Sequence, residues 1–330
     1  MNNEPNRIST LVKGILMGWA EVVPGVSGGT IAFITGIYER LLASVSSFGP
    51  GLIRVFKEKG LKAVWEKIDG NFLTILFVGM ALGLGTGVFG ITFLLEHYKE
   101  PLWAFFFGLI LASSLFILKM VPNWNIKNVL SVIIGIAIAY TITVISPTEG
   151  DTSSFYILLS GMLAISALML PGISGSFVLL LMGMYSIIIP SLKSLMTNHD
   201  MESFRIVAIF GIGCLVGLSM FSKVLTWLFK NHRNLTFSLL GGFLIGSLNK
   251  VWPWRNVTEI LLKEDYQVIQ INDASALSNY SHVPFKILQE VNVLPSSYQG
   301  EQTFLIPVIV SFIVGFILVF ALESKLSPED

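Results

Sequence analysis

Hydrophobic positions in this chain come in long blocks, not in the short alternations of a soluble fold. Phe72 to Leu95, Trp103 to Leu118, Val129 to Ile145 and Phe304 to Leu322 are nearly uninterrupted apolar runs, and Phe204 to Phe229 and Leu235 to Leu248 add two more. Most approach the ~20 residues that a helix needs to cross a ~30 Å hydrocarbon core, so each predicts a membrane-spanning helix. Ile8 to Phe48 and Phe155 to Leu195 behave differently, because each is broken in the middle by Pro and Gly and is too long for one span. The economical reading is a re-entrant hairpin of two half-helices, since irregular backbone at membrane depth is tolerated where protein or a watery cavity covers it; two complete crossings are the alternative. Pro253 to Thr303 carries Asp, Asn, Ser and Gln in place of apolar periodicity and is expected to lie outside the bilayer.

The two broken stretches align without a gap, Gly14 to Phe48 on Gly161 to Leu195. The alignment pairs Ala20 with Ala167, Pro24 with Pro171, Gly25 with Gly172, Ser27 with Ser174, Gly28 with Gly175, Gly36 with Gly183 and Tyr38 with Tyr185. Further on, Gly79 and Gly83 match Gly213 and Gly217, Gly108 matches Gly242, and Gly135 matches Gly315. Small-residue packing explains scattered glycine matches but not the gapless hairpin alignment. The chain therefore divides into a first membrane repeat, 8–147, and a second, 155–328, interrupted by the polar insertion 253–303.

Composition agrees with a bilayer as solvent: 53% of the 330 residues are hydrophobic and 13% charged, with a mean hydropathy of +0.73, against roughly 25% charged in a soluble domain. Acidic and basic residues balance at 21 each, which gives no reason to expect nucleic acid. The single cysteine, Cys214, excludes a disulfide framework and a cysteine metal cluster. The first apolar stretch has no small-residue cleavage pattern and is expected to stay on the protein.

Lysine and arginine placement sets the expected topology. With an inner N-terminus and re-entrant hairpins, the loop carrying Arg54, Lys57, Lys59, Lys62 and Lys67 is cytoplasmic, as are Lys119, Lys127, Lys230, Arg233 and Lys325. The acidic turn with Glu149 and Asp151 and the insertion fall outside. Each half then holds one hairpin and about three spans, an odd number of crossings, which inverts the second half relative to the first. The fold class expected is an all-α integral membrane protein with an inverted-topology repeat, both termini cytoplasmic. Inverted repeats with broken helices are a signature of secondary transporters.

Chemistry concentrates at the breaks. In Val23-Pro24-Gly25-Val26-Ser27-Gly28-Gly29-Thr30, Pro24 ends one half-helix, Gly25 permits a tight reversal and Ser27 is placed to cap the next. The amides that follow, aided by the helix dipole, favour an anion. Pro171, Gly172, Ser174, Gly175 and Ser176 repeat the construction, so two facing tips would form a pocket with hydroxyls from Ser27, Thr30, Ser174 and Ser176, suited to phosphate or carboxylate. Glu21, inside an apolar stretch, is a candidate proton carrier or hydrogen-bond partner to the site, because intramembrane charge is costly. Glu39 and Arg40 read either as an interfacial pair reaching the headgroups or as ligand contacts. Glycine-rich stretches such as Gly79 to Gly90 and Gly211 to Gly217 read as sliding surfaces for a moving transporter.

At Gly18-Trp19-Ala20-Glu21-Val22-Val23-Pro24-Gly25-Val26-Ser27-Gly28-Gly29-Thr30 the sequence resembles the bacterial polyprenyl-phosphate transporter family, the PopT-type proteins, and the resemblance extends over nearly the whole chain. It implies translocation of undecaprenyl phosphate from the outer to the cytoplasmic leaflet of the bacterial plasma membrane for reuse in cell-wall synthesis. The phosphate would sit at both tips and the prenyl tail would stay in lipid. The implied partners are undecaprenyl phosphate and membrane lipids; no cofactor or metal is expected, only a coupling ion, proton or sodium. Leu168 stands opposite Glu21 and Ser176 opposite Gly29, so the halves contribute unequally. Two rivals stand beside this reading. Undecaprenyl-diphosphate phosphatases share a Pro-Gly-x-Ser turn but follow the serine with a clamp arginine, where this chain has Gly28 and Gly175. A carrier of small anions would use the same pocket chemistry.

Overall fold

The computed structural model describes residues 7–23, 26–49, 51–145, 147–197, 200–262, 267–271, 279–280, 282–300 and 302–323. Each broken stretch forms three helical pieces, where the sequence pattern suggested two. The first is α1 (Arg7–Val22), α2 (Gly28–Ile34) and α3 (Tyr38–Ser46); after α4 (Gly51–Lys67), α5 (Gly70–His97), α6 (Lys99–Lys119) and α7 (Ile126–Val144), the second repeats the plan as α8 (Ser154–Met169), α9 (Gly175–Leu181) and α10 (Tyr185–Thr197). The additional break falls at Gly36 and Gly183, whose φ values of 70° and 67° require glycine. Both end their short helix in the same way. Gly36 N–H donates to Phe33 O and Ile37 N–H to Ala32 O; Gly183 N–H donates to Leu180 O and Met184 N–H to Leu179 O, the bond pattern of a Schellman stop.

The five-base loop is also more ordered than expected. It is the exposed helix α4 (Gly51–Lys67), interrupted at Gly60, with no buried residue and an Arg54–Glu58 pair one turn apart. The apolar runs become α5 (Gly70–His97), α6 (Lys99–Lys119), α7 (Ile126–Val144), α11 (Met201–Asn231), α12 (Arg233–Ser247) and α13 (Leu305–Glu323). Among the described residues, α5, α6, α7 and α11 are long and apolar enough to cross a membrane. The protein is a multi-pass membrane protein. The 15 residues of α12 fall short of a full span and continue as a 3-10 turn, Leu248–Val251. Phe237, Leu240 and Leu244 of α12 are among the most enclosed side chains of the fold, which places this helix in its centre.

Glycine sets how the helices pair. A Cβ added at Gly14 or Gly18 of α1 would run into the backbone of α5, and one at Gly79 or Gly83 into that of α1. Gly161 of α8 meets Gly213 on α11, Gly135 of α7 meets Gly242 on α12, and Gly108 of α6 meets Phe312 near Gly315 on α13 in the same way. The glycines matched between the halves are therefore backbone-to-backbone contacts. Gly79, Gly83, Gly213 and Gly217, expected in sliding surfaces, are thus sites of close helix-to-helix contact, whereas Gly85, Gly90 and Gly211 face open space. Along α7 and α12 the contacts advance together, Ser131 with Leu235, Gly135 with Leu239 and Gly246 with Ile136 and Tyr140, so the two helices run parallel.

The polar insertion departs from an all-helical fold. It forms an antiparallel sheet of β1 (Arg255–Leu262), β2 (Val268–Gln270) and β3 (Phe285–Asn292) in the order β2-β1-β3, with fully buried Ile260 on the central strand opposite Ile269 and Ile287. Polar anchors hold it to the start of α6. Glu290 accepts from Arg255 at 2.8 Å and pairs with Lys99 at 3.5 Å, Tyr298 donates to buried Glu100, and the Arg255 guanidinium lies 4.6 Å from the centre of the Trp103 ring. Burial and the neighbouring Glu100 carboxylate push the Tyr298 hydroxyl above its usual range, so it stays a donor.

Candidate functional site

Pro24 and Gly25 lie outside the described residues, but the chain on either side of them is defined. Ser27 is extended, with φ −113° and ψ 134°, and caps α2 as its type and position predict: its Oγ accepts from Gly29 N–H at 3.1 Å and its carbonyl accepts from Thr30 N–H at 2.9 Å. The remaining first-turn amide, Gly28 N–H, donates to Glu21 Oε1 at 2.7 Å. The amides expected to be free at this tip are thus all engaged by the protein, with the Glu21 carboxylate occupying the place an anion would take. Every residue of α2 is buried.

The two tips touch. Thr30 Oγ1 accepts from Gly172 N–H at 3.0 Å, Ser27 Oγ donates to Leu168 O at 3.3 Å, and Tyr38 OH donates to Met169 O at 2.7 Å. Gly29 belongs to this contact, since a Cβ there would lie 3.0 Å from Leu168 O. Gly172 has φ +85° and packs against Ser247 and Phe243 of α12, which excludes a side chain on two counts.

The second tip is built differently. Ser174 is extended at the start of α9 but does not cap it; its Oγ is bonded to Ser176 Oγ at 2.9 Å, a hydroxyl absent from the first half, where Gly29 stands. Among the described residues no hydrogen bond engages the amides of Gly175, Ser176 or Phe177. Ser176 is exposed, while Pro171, Gly172, Ser174 and Gly175 are buried.

Glu39 and Arg40 are not a pair, nor are they at the tips, because adjacent helix positions point in different directions. Glu39 Oε1 accepts from Arg233 Nη2 at 2.7 Å beside a cavity of about 350 Å³ that also meets Thr226 and Lys230. Arg40 Nε donates to Asp69 Oδ2 at 2.6 Å, and its guanidinium lies 4.3 Å from the centre of the Phe72 ring. Three residues near the tips went unselected in the sequence. Tyr38 drew notice only as a repeat match. Lys13 donates to Thr35 O at 2.7 Å, and the same signal as for Glu21, a charge inside an apolar run, marks it. Lys250, 4.6 Å from the Phe177 ring centre of α9, sits at the end of an apolar run and resembles an ordinary interfacial lysine.

Beside the first tip lies a larger, open-sided cavity of about 660 Å³, walled by α1, α2, α5, α6 and α13 and lined almost wholly by apolar side chains. It reaches Ala20 and Ile31, the neighbours of Glu21 and Thr30.

Fold and site together define a multi-pass membrane protein whose buried polar groups converge where two broken helices meet. The chain belongs to the undecaprenyl phosphate translocase-like family, whose profile matches residues 17–269. It is 44% identical over 250 residues to a polyprenyl-phosphate transporter of Vibrio cholerae serotype O1, covering 76% of this chain and 79% of that protein. It is 34% identical over 255 residues to a polyprenyl-phosphate transporter of Staphylococcus aureus, covering 74% and 85% respectively. No solved structure matches it.

Proposed function

We propose that this chain moves undecaprenyl phosphate from the outer to the cytoplasmic leaflet of the bacterial plasma membrane, returning the lipid carrier to cell-wall synthesis. The observation that carries the reading is the direct contact of the two helix breaks, which joins Ser27, Thr30 and Gly172 in one hydrogen-bonded junction. Both named relatives are polyprenyl-phosphate transporters, which supports the same cargo here.

The phosphate first meets the second tip, where the α9 amides and Ser176 are available. It reaches the first tip by displacing Glu21 from Gly28 N–H, because one amide cannot serve carboxylate and phosphate together. Protonation of Glu21 as it leaves would couple transport to a proton gradient. Each short helix folds back on the helix before it, Gly28 against Met17 and Gly175 against Ala164, which supports re-entrant hairpins. The inverted repeat is supported by α12, the counterpart of α6. It runs parallel to α7, whereas α6 joins α7 through a short turn and runs against it. The lysine and arginine bias supports cytoplasmic termini.

Geometry disfavours the phosphatase reading. The clamp-arginine positions are Gly28, where a Cβ would lie 2.7 Å from Glu21 Oε1, and Gly175, where it would strike Ala164 O. At Gly175 the clash is with backbone, and at Gly28 a side chain would have to displace the Glu21 carboxylate. The test is translocation of labelled undecaprenyl phosphate in proteoliposomes, with released phosphate assayed in parallel from undecaprenyl diphosphate. Lipid movement without phosphate release is expected; phosphate release, or no lipid movement, overturns the proposal.

A further inference from the structure

We infer that the 660 Å³ cavity holds the prenyl chain next to the phosphate while the lipid is bound, so that the tail does not travel wholly in the bilayer. The inference rests on the transport reading above. It begins with the lining. Leu94, Phe105, Phe106, Leu109 and Pro307 dominate it, and its few polar side chains are largely spent elsewhere: Thr35 Oγ1 donates to Ile31 O at 2.8 Å and Trp19 Nε1 to Thr86 Oγ1 at 2.9 Å. A water inside would find few partners, and an apolar cavity of this kind takes hydrocarbon in preference to water. The volume lies within the ~300–1,000 Å³ range of ligand sites.

Position selects the occupant. Ala20 and Ile31, one residue from Glu21 on α1 and one from Thr30 on α2, are part of the cavity's lining, so it passes beside the proposed phosphate junction. Its far end is framed by Tyr98 and Phe304, at the start of α6 and of α13. A ligand with a phosphate at the junction and a hydrocarbon chain attached to it would enter this space with its first isoprene units. A phospholipid acyl chain has the same hydrocarbon character but arrives without a phosphate at the tips, and competition separates the two.

The experiment fills the cavity away from the junction, with Leu94→Trp and Ser311→Trp, in full-length protein in proteoliposomes. Undecaprenyl phosphate and the short-chain analogue geranyl phosphate are assayed side by side. For undecaprenyl phosphate the apparent KM should rise about tenfold, the equivalent of leaving two methylenes unburied. Geranyl phosphate, whose two isoprene units leave most of the cavity unfilled, should lose clearly less than undecaprenyl phosphate, because the headgroup junction is untouched. Unchanged KM for both lipids, or equal losses for both, overturns the tail site. Failure of the unsubstituted protein to move either lipid overturns the transport reading instead. A photoactivatable undecaprenyl phosphate should label α5 and α13 in competition with unlabelled undecaprenyl phosphate. Equal labelling by a photoactivatable phospholipid, not displaced by undecaprenyl phosphate, would assign the cavity to bulk lipid and overturn the inference.

Discussion

The two broken helices share a motif and a pair of glycine stops, yet the first is closed and the second open. At the first tip Glu21 holds Gly28 N–H, Ser27 caps α2, and all of α2 is buried. At the second, Leu168 replaces the acid, Ser176 draws the Ser174 hydroxyl away from the cap, and three amides are left without a partner among the described residues. Glu21 against Leu168 and Gly29 against Ser176 mark the difference at the amides, and Thr30 against Phe177 adds a third, since Thr30 Oγ1 accepts from Gly172 N–H while its counterpart has no hydroxyl. A repeated frame thus carries one tip whose amides are held by its own carboxylate and serine, and one whose first amides have no partner among the described residues.

The sharpest way to break this comparison is to give the first tip the residue of the second. Glu21→Leu removes the group that leaves Gly28 N–H and takes a proton, so proton-driven translocation of undecaprenyl phosphate in proteoliposomes should fall about a hundredfold; Glu21→Gln keeps an acceptor oxygen but carries no proton and should fall about as far. Equal activity of all three proteins would remove Glu21 from the site. Gly175→Val drives a branched side chain into Ala164 O and should destabilise the fold by about 1–3 kcal/mol, read by thermal unfolding in detergent. Thr30→Val, close in shape, leaves Gly172 N–H buried without its acceptor and should cost about 1–2 kcal/mol in the same measurement. The smallest effect belongs to Ser176→Gly, which copies the first tip. It frees Ser174 to cap α9 and should raise stability by less than about 1 kcal/mol. A clear loss there would mean that the Ser174–Ser176 bond itself stabilises the open tip.

Local features were legible in the sequence; contacts between distant segments were not. The apolar runs place α5, α6, α7, α11 and α13 within a few residues, and Ser27 was readable as a cap because serine before a short apolar helix has few other uses. The alignment paired Gly36 with Gly183 but said nothing of their positive φ, so the second break in each hairpin was invisible. The Glu39-Arg40 adjacency gave no sign of their separate partners, Arg233 and Asp69, because neighbours along a helix point in different directions. The sheet in the insertion was hidden because β1 and β3, though eight residues each, do not alternate apolar and polar positions cleanly. Contact of Thr30 with Gly172, 142 positions apart, is a property of the packed halves that no local pattern encodes.

The glycine contacts have a mechanical consequence. With backbones in contact, α1 with α5, α8 with α11, α7 with α12 and α6 with α13 behave as stiff blocks, each moving as a unit or not at all. The last two blocks each take one helix from either half and so fasten the halves together like a clasp. The frame made by α6, α7, α12 and α13 is thus common to both halves, whereas α1 with α5 and α8 with α11 each pair within one half.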